Sequence, residues 1–211
     1  MKRRFIGELK MNKDLKRVLG KVIAKLPNNS LRIYLLRTLF GYKIGSKCKI
    51  GSSVILANEV VIHDNVTILG SNVIVCNKLE LGSYSSILEH NRITGRGNFF
   101  LGEYSRVIFN HTLDLSASIV IGNNTWLAGR GSQIWTHGST KTKTGLKDLS
   151  VKIGNDNYIS SVLIGPGVIL GNKNLVGLGT VLTESFNNDK QFILGNPAIL
   201  VKENVDWRTN W

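Results

Sequence analysis

The chain has 211 residues, 42% of them apolar, which suits one domain with a modest extension around a single core. No run of about 18 apolar residues occurs, and the N-terminus lacks the apolar stretch and cleavage site of a signal peptide, so no membrane span and no leader is expected. The net charge is +13, yet residues 1–43 hold ten of those charges, twelve Lys and Arg against Glu8 and Asp14; the nearly neutral remainder is a poor nucleic-acid surface.

In chain order, Leu15, Val18, Leu19, Val22, Ile23 and Leu26 fall at helical spacing within residues 13–26, ahead of Pro27, and predict an amphipathic helix. A second helix is predicted from a Ser30 cap through Leu31, Tyr34, Leu35, Leu36 and Leu39 to Gly41. The basic segment 1–42 has two readings: a cap over the open end of the neighbouring domain, or a lysine-rich surface laid on anionic membrane.

Beyond Gly41 the sequence is periodic. Ile44, Ile50, Leu56, Ile62, Ile68 and Ile74 recur every six residues; the register then slips to Leu81, Ile87, Ile93 and Phe99, and again to Leu101, Val107, Leu113 and Ile119. Ile121, Leu127 and Ile134 continue it before residues 136–150, polar and without inward aliphatics, leave it as an extruded loop. From Val151 to Thr183 the pattern is clearest, with Ile153, Ile159, Ile164, Leu170, Val176 and Leu182 at steps of six and one of five. A period of six fits neither helix nor simple alternation, so each unit reads as a short strand and a corner, three units to a triangular coil, with one inward side chain per unit. The predicted fold is an all-β solenoid over 43–185, followed by a C-terminal extension, 186–211, whose Trp207 and Trp211 are expected to cover a coil or a neighbouring subunit.

The hexads from Val151 to Thr183, with the exit Gly195-Asn196-Pro197-Ala198, resemble the hexapeptide-repeat acyltransferases, and among them the sugar and polysaccharide O-acetyltransferases. The resemblance implies a left-handed parallel β-helix, a hand that the period alone does not determine. It also implies acetyl-CoA as acyl donor, a sugar or glycan acceptor, direct transfer in a ternary complex, and a homotrimer with sites between subunits. Cys48 and Cys76 form neither a metal motif nor a disulfide framework, which suits the cytoplasm.

His137 stands where the repeat gives way to the loop, at the place where these enzymes carry a histidine that serves as general base. An alcohol attacks a thioester poorly until its proton is removed. Trp135 is the expected acceptor contact. Asn110, in Phe109-Asn110-His111-Thr112, resembles the galactoside-type asparagine beside the acceptor hydroxyl, although asparagine is also common at solenoid corners. The oxyanion backbone donor matches Ser160 or Ser161, at the five-residue step where the chain is one residue short of the family pattern. The coenzyme A site is carried over to Gly177, Leu178, Gly179, Thr180, Thr183, Asn196, Pro197 and Lys202, with Glu184 standing where relatives often have lysine.

His63 fills the small-residue slot after Ile62 and reads as a turn residue, His90 carries no signature, and the histidine spacing does not suit the three-histidine zinc site of a hydratase on this scaffold, so no metal is expected. An N-acyltransferase acting on an amino sugar and a non-catalytic, membrane-recruited β-helical scaffold remain the alternatives.

Overall fold

The computed structural model describes residues 12–138, 145 and 147–209. The chain forms a left-handed parallel β-helix of about seven turns, preceded by helices α1 (Lys13–Ala24) and α2 (Asn29–Phe40). The first face stacks β1 (Lys43–Ile44), the ends of β3 (Val54–Ile62) and β5 (Val73–Leu81), then β8 (Phe99–Leu101), β11 (Ile119–Ile121), β14 (Val151–Ile153) and β17 (Ile169–Leu170). On the second face lie β2 (Lys49–Ile50), β4 (Thr67–Ile68), β6 (Ser86–Ile87), β9 (Arg106–Phe109), β12 (Trp126–Arg130), β15 (Tyr158–Ser160), β18 (Leu175–Val176) and β20 (Phe192–Leu194). The third face holds the beginnings of β3 and β5, then β7 (Arg92–Gly95), β10 (Thr112–Leu115), β13 (Gln133–Ile134), β16 (Leu163–Ile164) and β19 (Val181–Leu182). All these pairings are parallel; among the described strands only β21 (Ile199–Lys202) runs antiparallel, on β20.

The inward column of the third face is Ile55, Ile74, Ile93, Leu113, Ile134, Ile164 and Leu182, all buried. Ile55 therefore replaces Leu56, which the six-residue count had placed inside; Leu56 points outward and meets α1 at Gly20. The register slips are also explained. The slips are extra residues at the third-to-first corner: seven positions separate Ile55 from Ile62 and Ile74 from Leu81, and eight separate Ile93 from Leu101 and Leu113 from Ile121, against six from Ile164 to Leu170.

Polar residues are stacked at two corners as well. At the second-to-third corner Ser53, Asn72, Asn91, His111 and Ser132 each accept, through a side-chain atom, the N–H of the next coil: Asn72, Asn91, His111, Ser132 and Val162 in turn. Ser105, Thr125, Asn157 and Asn174 repeat the device at the first-to-second corner. Each ladder satisfies backbone donors that the tight bend would otherwise bury unpaired.

The helices cover the open edge of the first coil. From α2, Arg32 Nε donates to Ile50 O (2.8 Å), Arg37 to the carbonyls of Ile44 and Gly45, and Asn29 bridges Cys48 O and Ile50 N–H. Above β3, Lys16 Nζ reaches Ala57 O (2.7 Å) and the Tyr42 hydroxyl meets the Ala57 backbone. The N-cap of α2 is Asn28, whose side chain accepts the Leu31 N–H; Ser30, the expected cap, lies inside the helix. Gly41 ends it in the left-handed conformation (φ 67°), as its position suggested. Arg32→Ala should lower stability by about 2 kcal/mol in a urea melt, since it strips the buried Ile50 carbonyl of its donor.

The chain between β13 and β14, expected to be an extruded loop, forms no strand among its described residues; part of it, and Trp211, lie outside them. Trp207 donates through Nε1 to Asp156 O and packs by Tyr158, covering the first-to-second corner.

Candidate active site

Beyond Ile134 the chain keeps its extended alternation, so Thr136 turns inward while Trp135 and His137 both face out at the third-to-first corner. The buried Thr136 hydroxyl donates to Asp114 O and accepts the Ala117 N–H, each at 2.8 Å, which ties the His137 segment to the coil below. Pairing of Leu113 with Ile134 puts Asp114 beneath Trp135, and its carboxylate reaches diagonally to the next outward residue. His137 Nδ1 lies 2.8 Å from Asp114 Oδ1 and 3.4 Å from Ser116 Oγ.

Burial raises the Asp114 pKa, but the hydrogen bonds from His137 and from the Ser116 backbone and hydroxyl outweigh it, so the carboxyl sits below its ordinary range. An ionised Asp114 holds the Nδ1–H tautomer and leaves Nε2 as a lone-pair acceptor, the arrangement a general base requires. Trp135 meets the imidazole edge-on with centroids 5.6 Å apart, is partly exposed, and donates through Nε1 to Gln133 Oε1. Beneath the dyad, Gly97 admits the coil: a Cβ there would stand 2.0 Å from Ala117 O.

The remaining candidates are not beside His137. Asn110, Ser161 and Gly179 occupy successive left-handed positions (φ 56°, 47° and 77°) at the second-to-third corner, with Gly131 (φ 75°) between the first two. From Gly131 to His137 is six extended residues, so the two edges of the face lie about 20 Å apart. Asn110 lines a shallow pocket of about 300 Å³ with His90, Phe109 and Arg130; His137 is not part of it. Ser160 ends β15 at the same edge, and the Ser161 N–H is already given to Ala128 O at 3.3 Å.

Gly177, Leu178 and Thr180 continue this edge, and the Gly195 carbonyl, bonded to Val181 N–H, brings Asn196 and Pro197 over them. Gly179 opens onto free space and Leu178 is 70% exposed; beside them Leu194, Ile199 and Val201 add exposed apolar surface. Lys202 is exposed opposite Phe192. Thr183 differs, because it follows Leu182 onto the His137 edge. Asp114, Arg130 and His90 were not among the sequence candidates.

The buried histidine, in contrast, belongs to the scaffold. His111 Nδ1 accepts the Ser132 N–H within the corner ladder, and burial lowers its pKa to about 4. Among the described residues no group of three His, Cys, Asp or Glu side chains is placed to hold a metal, and no helix is long and apolar enough to cross a membrane.

No family model matches the chain. Among solved structures it is similar to the polysialic-acid-specific acetyltransferase NeuO, with 16% identity over 79% of this chain and 83% of that one and a TM-score of 0.54. It is similar also to a maltose O-acetyltransferase from Clostridium difficile 630 (19% identity, 90% and 85% covered, TM-score 0.46). A third is a galactoside acetyltransferase in complex with coenzyme A (18% identity, 93% and 84% covered, TM-score 0.46). At such identities the NeuO match is a likeness of fold, in keeping with the hexapeptide β-helix described above.

Proposed function

We propose that the protein is an acetyl-CoA-dependent O-acetyltransferase that acts on a hydroxyl of a sugar or surface-polysaccharide precursor. The observation that carries the proposal is the Asp114–His137 pair, an imidazole held by a carboxylate at one nitrogen, more than half exposed and without a partner at the other nitrogen among the described residues. In this reading His137 Nε2 takes the proton of the acceptor hydroxyl as its oxygen attacks the thioester carbonyl. The same imidazolium returns the proton to the departing thiolate of coenzyme A, so no acyl-enzyme forms. Trp135 offers an aromatic wall for the acceptor, and the edge from Leu178 to Pro197 offers glycines and exposed aliphatics to the pantetheine arm and Lys202 to a phosphate.

The proposal includes a cyclic homotrimer. Both edges of the third face carry candidates, and a three-fold axis facing that face would set the His137 edge of one subunit against the Asn110–Ser161–Gly179 edge of the next. Asn110 would then position the acceptor, and a backbone N–H at Ser160 or Ser161 would meet the oxyanion, that of Ser161 by leaving its long bond to Ala128 O. Light scattering should give about three times the 23.3 kDa chain mass. Mixing the nearly inactive His137→Ala chain with the impaired Asn110→Ala chain should give more activity than the two show separately; no gain from re-formed trimers would refute the shared site.

A thermal shift on adding coenzyme A tests the donor, and a chain that binds no coenzyme A would be a scaffold instead. We place the reaction in the cytoplasm, where acetyl-CoA is available, with an anionic membrane surface as a peripheral partner.

A further inference from the structure

The capping and membrane roles of the N-terminal helices need not compete, because α1 uses different sides for each. At 100° per residue, Lys16, Gly20, Ile23 and Ala24 share the arc turned to the solenoid, where Gly20 lies against Leu56 and Lys16 bonds Ala57 O. Leu15, Val18 and Val22 share another arc, about 60° wide, and stand 51%, 58% and 54% exposed. Arg17, Lys21 and Lys25, also exposed, fill the sector between the two. On α2, Leu31 and Tyr34 add exposed apolar surface.

We propose that the Leu15–Val18–Val22 stripe, flanked by Arg17, Lys21 and Lys25, is the surface by which the protein docks on a bilayer rich in anionic lipid. The three side chains enter the interface while the cations meet lipid phosphates beside them, and the solenoid-facing arc keeps its capping contacts. A second copy of the chain is the poorer occupant, because residues 1–43 bring ten net positive charges to each side of such a contact. The inference rests on the proposed membrane partner and is independent of acyl transfer.

The test is co-sedimentation of the full chain with phosphatidylcholine vesicles with or without phosphatidylglycerol. Wild type should pellet with the anionic vesicles only, and less so as salt rises. Leu15→Ser/Val18→Ser/Val22→Ser should bind at least about tenfold more weakly, with its melting temperature and coenzyme A binding unchanged because none of the three side chains packs on the solenoid. Arg17→Gln/Lys21→Gln/Lys25→Gln should flatten the salt dependence; Lys16 is left intact because it belongs to the cap. If wild type ignores anionic vesicles, the membrane partner itself is refuted. If wild type binds and the triple serine variant binds equally well, the stripe is refuted while the partner stands. A fall in particle mass of the serine variant in lipid-free solution would assign the stripe to a subunit contact and overturn the proposal.

Discussion

His137→Ala should lower turnover on the order of 10²- to 10⁴-fold, with coenzyme A affinity nearly unchanged. The side chain is more than half exposed and holds no stacked coil, so what disappears is proton abstraction and not the scaffold. Asp114→Asn provides the sharper test of mechanism. The amide keeps the size of the carboxylate but can donate to Nδ1, favouring the tautomer whose Nε2 carries the proton; turnover should fall by roughly 10- to 10³-fold. Asn110→Ala should instead raise the acceptor KM or lower turnover less severely. Steady-state rates for the three variants distinguish these outcomes, and wild-type turnover in His137→Ala would rule out His137 as the base.

The second large effect is on stability. His111 is wholly inside the corner ladder, with Nδ1 committed to Ser132 N–H and Nε2 turned to the Leu127 carbonyl without a formed hydrogen bond among the described residues; burial outweighs that carbonyl, so the charged form is disfavoured and the folded pKa stands near 4 against 6.5 for the free side chain. Because the unfolded chain binds the extra proton first, the stability tied to His111 is fully present above pH 6.5, is lost progressively as pH falls to 4, and changes no further below that. The depression corresponds to about 3 kcal/mol. His111→Asn supplies the acceptor that Asn91 and Asn72 supply one and two coils below, but does not titrate. Urea unfolding at pH 7 and pH 4 should therefore show a drop of about 3 kcal/mol greater in wild type than in His111→Asn. Equal slopes would show that the buried imidazole finds a partner for its proton.

The solenoid was legible because its cause is local: a residue that must point inward at every bend writes a period of six into the sequence. The slips near Leu81 and Leu101 were legible as slips, but their reason, extra residues at the third-to-first corner, shows only once the coils stack. Leu56 was misplaced for a related reason. It is aliphatic because α1 covers it from outside, and counting cannot tell which side an apolar residue serves. His137 could be picked out where repetition breaks, whereas Asp114, 23 residues earlier, could not. One coil separates the two, and the signal that links them is the coil length from Leu113 to Ile134 together with the alternation of outward residues beyond it. The same stacking separates Asn110 and Ser161 from His137, residues that a resemblance groups in one site and a single chain keeps on opposite edges.

The most direct test of the central claim is mass spectrometry of candidate bacterial glycans incubated with acetyl-CoA and the protein, with His137→Ala beside it. Wild type should yield a glycan carrying a base-labile acetyl ester, and the variant almost none. A base-stable amide would move the reaction to an amino sugar, and an equal yield of acetylated glycan from both proteins would contradict the Asp114–His137 mechanism.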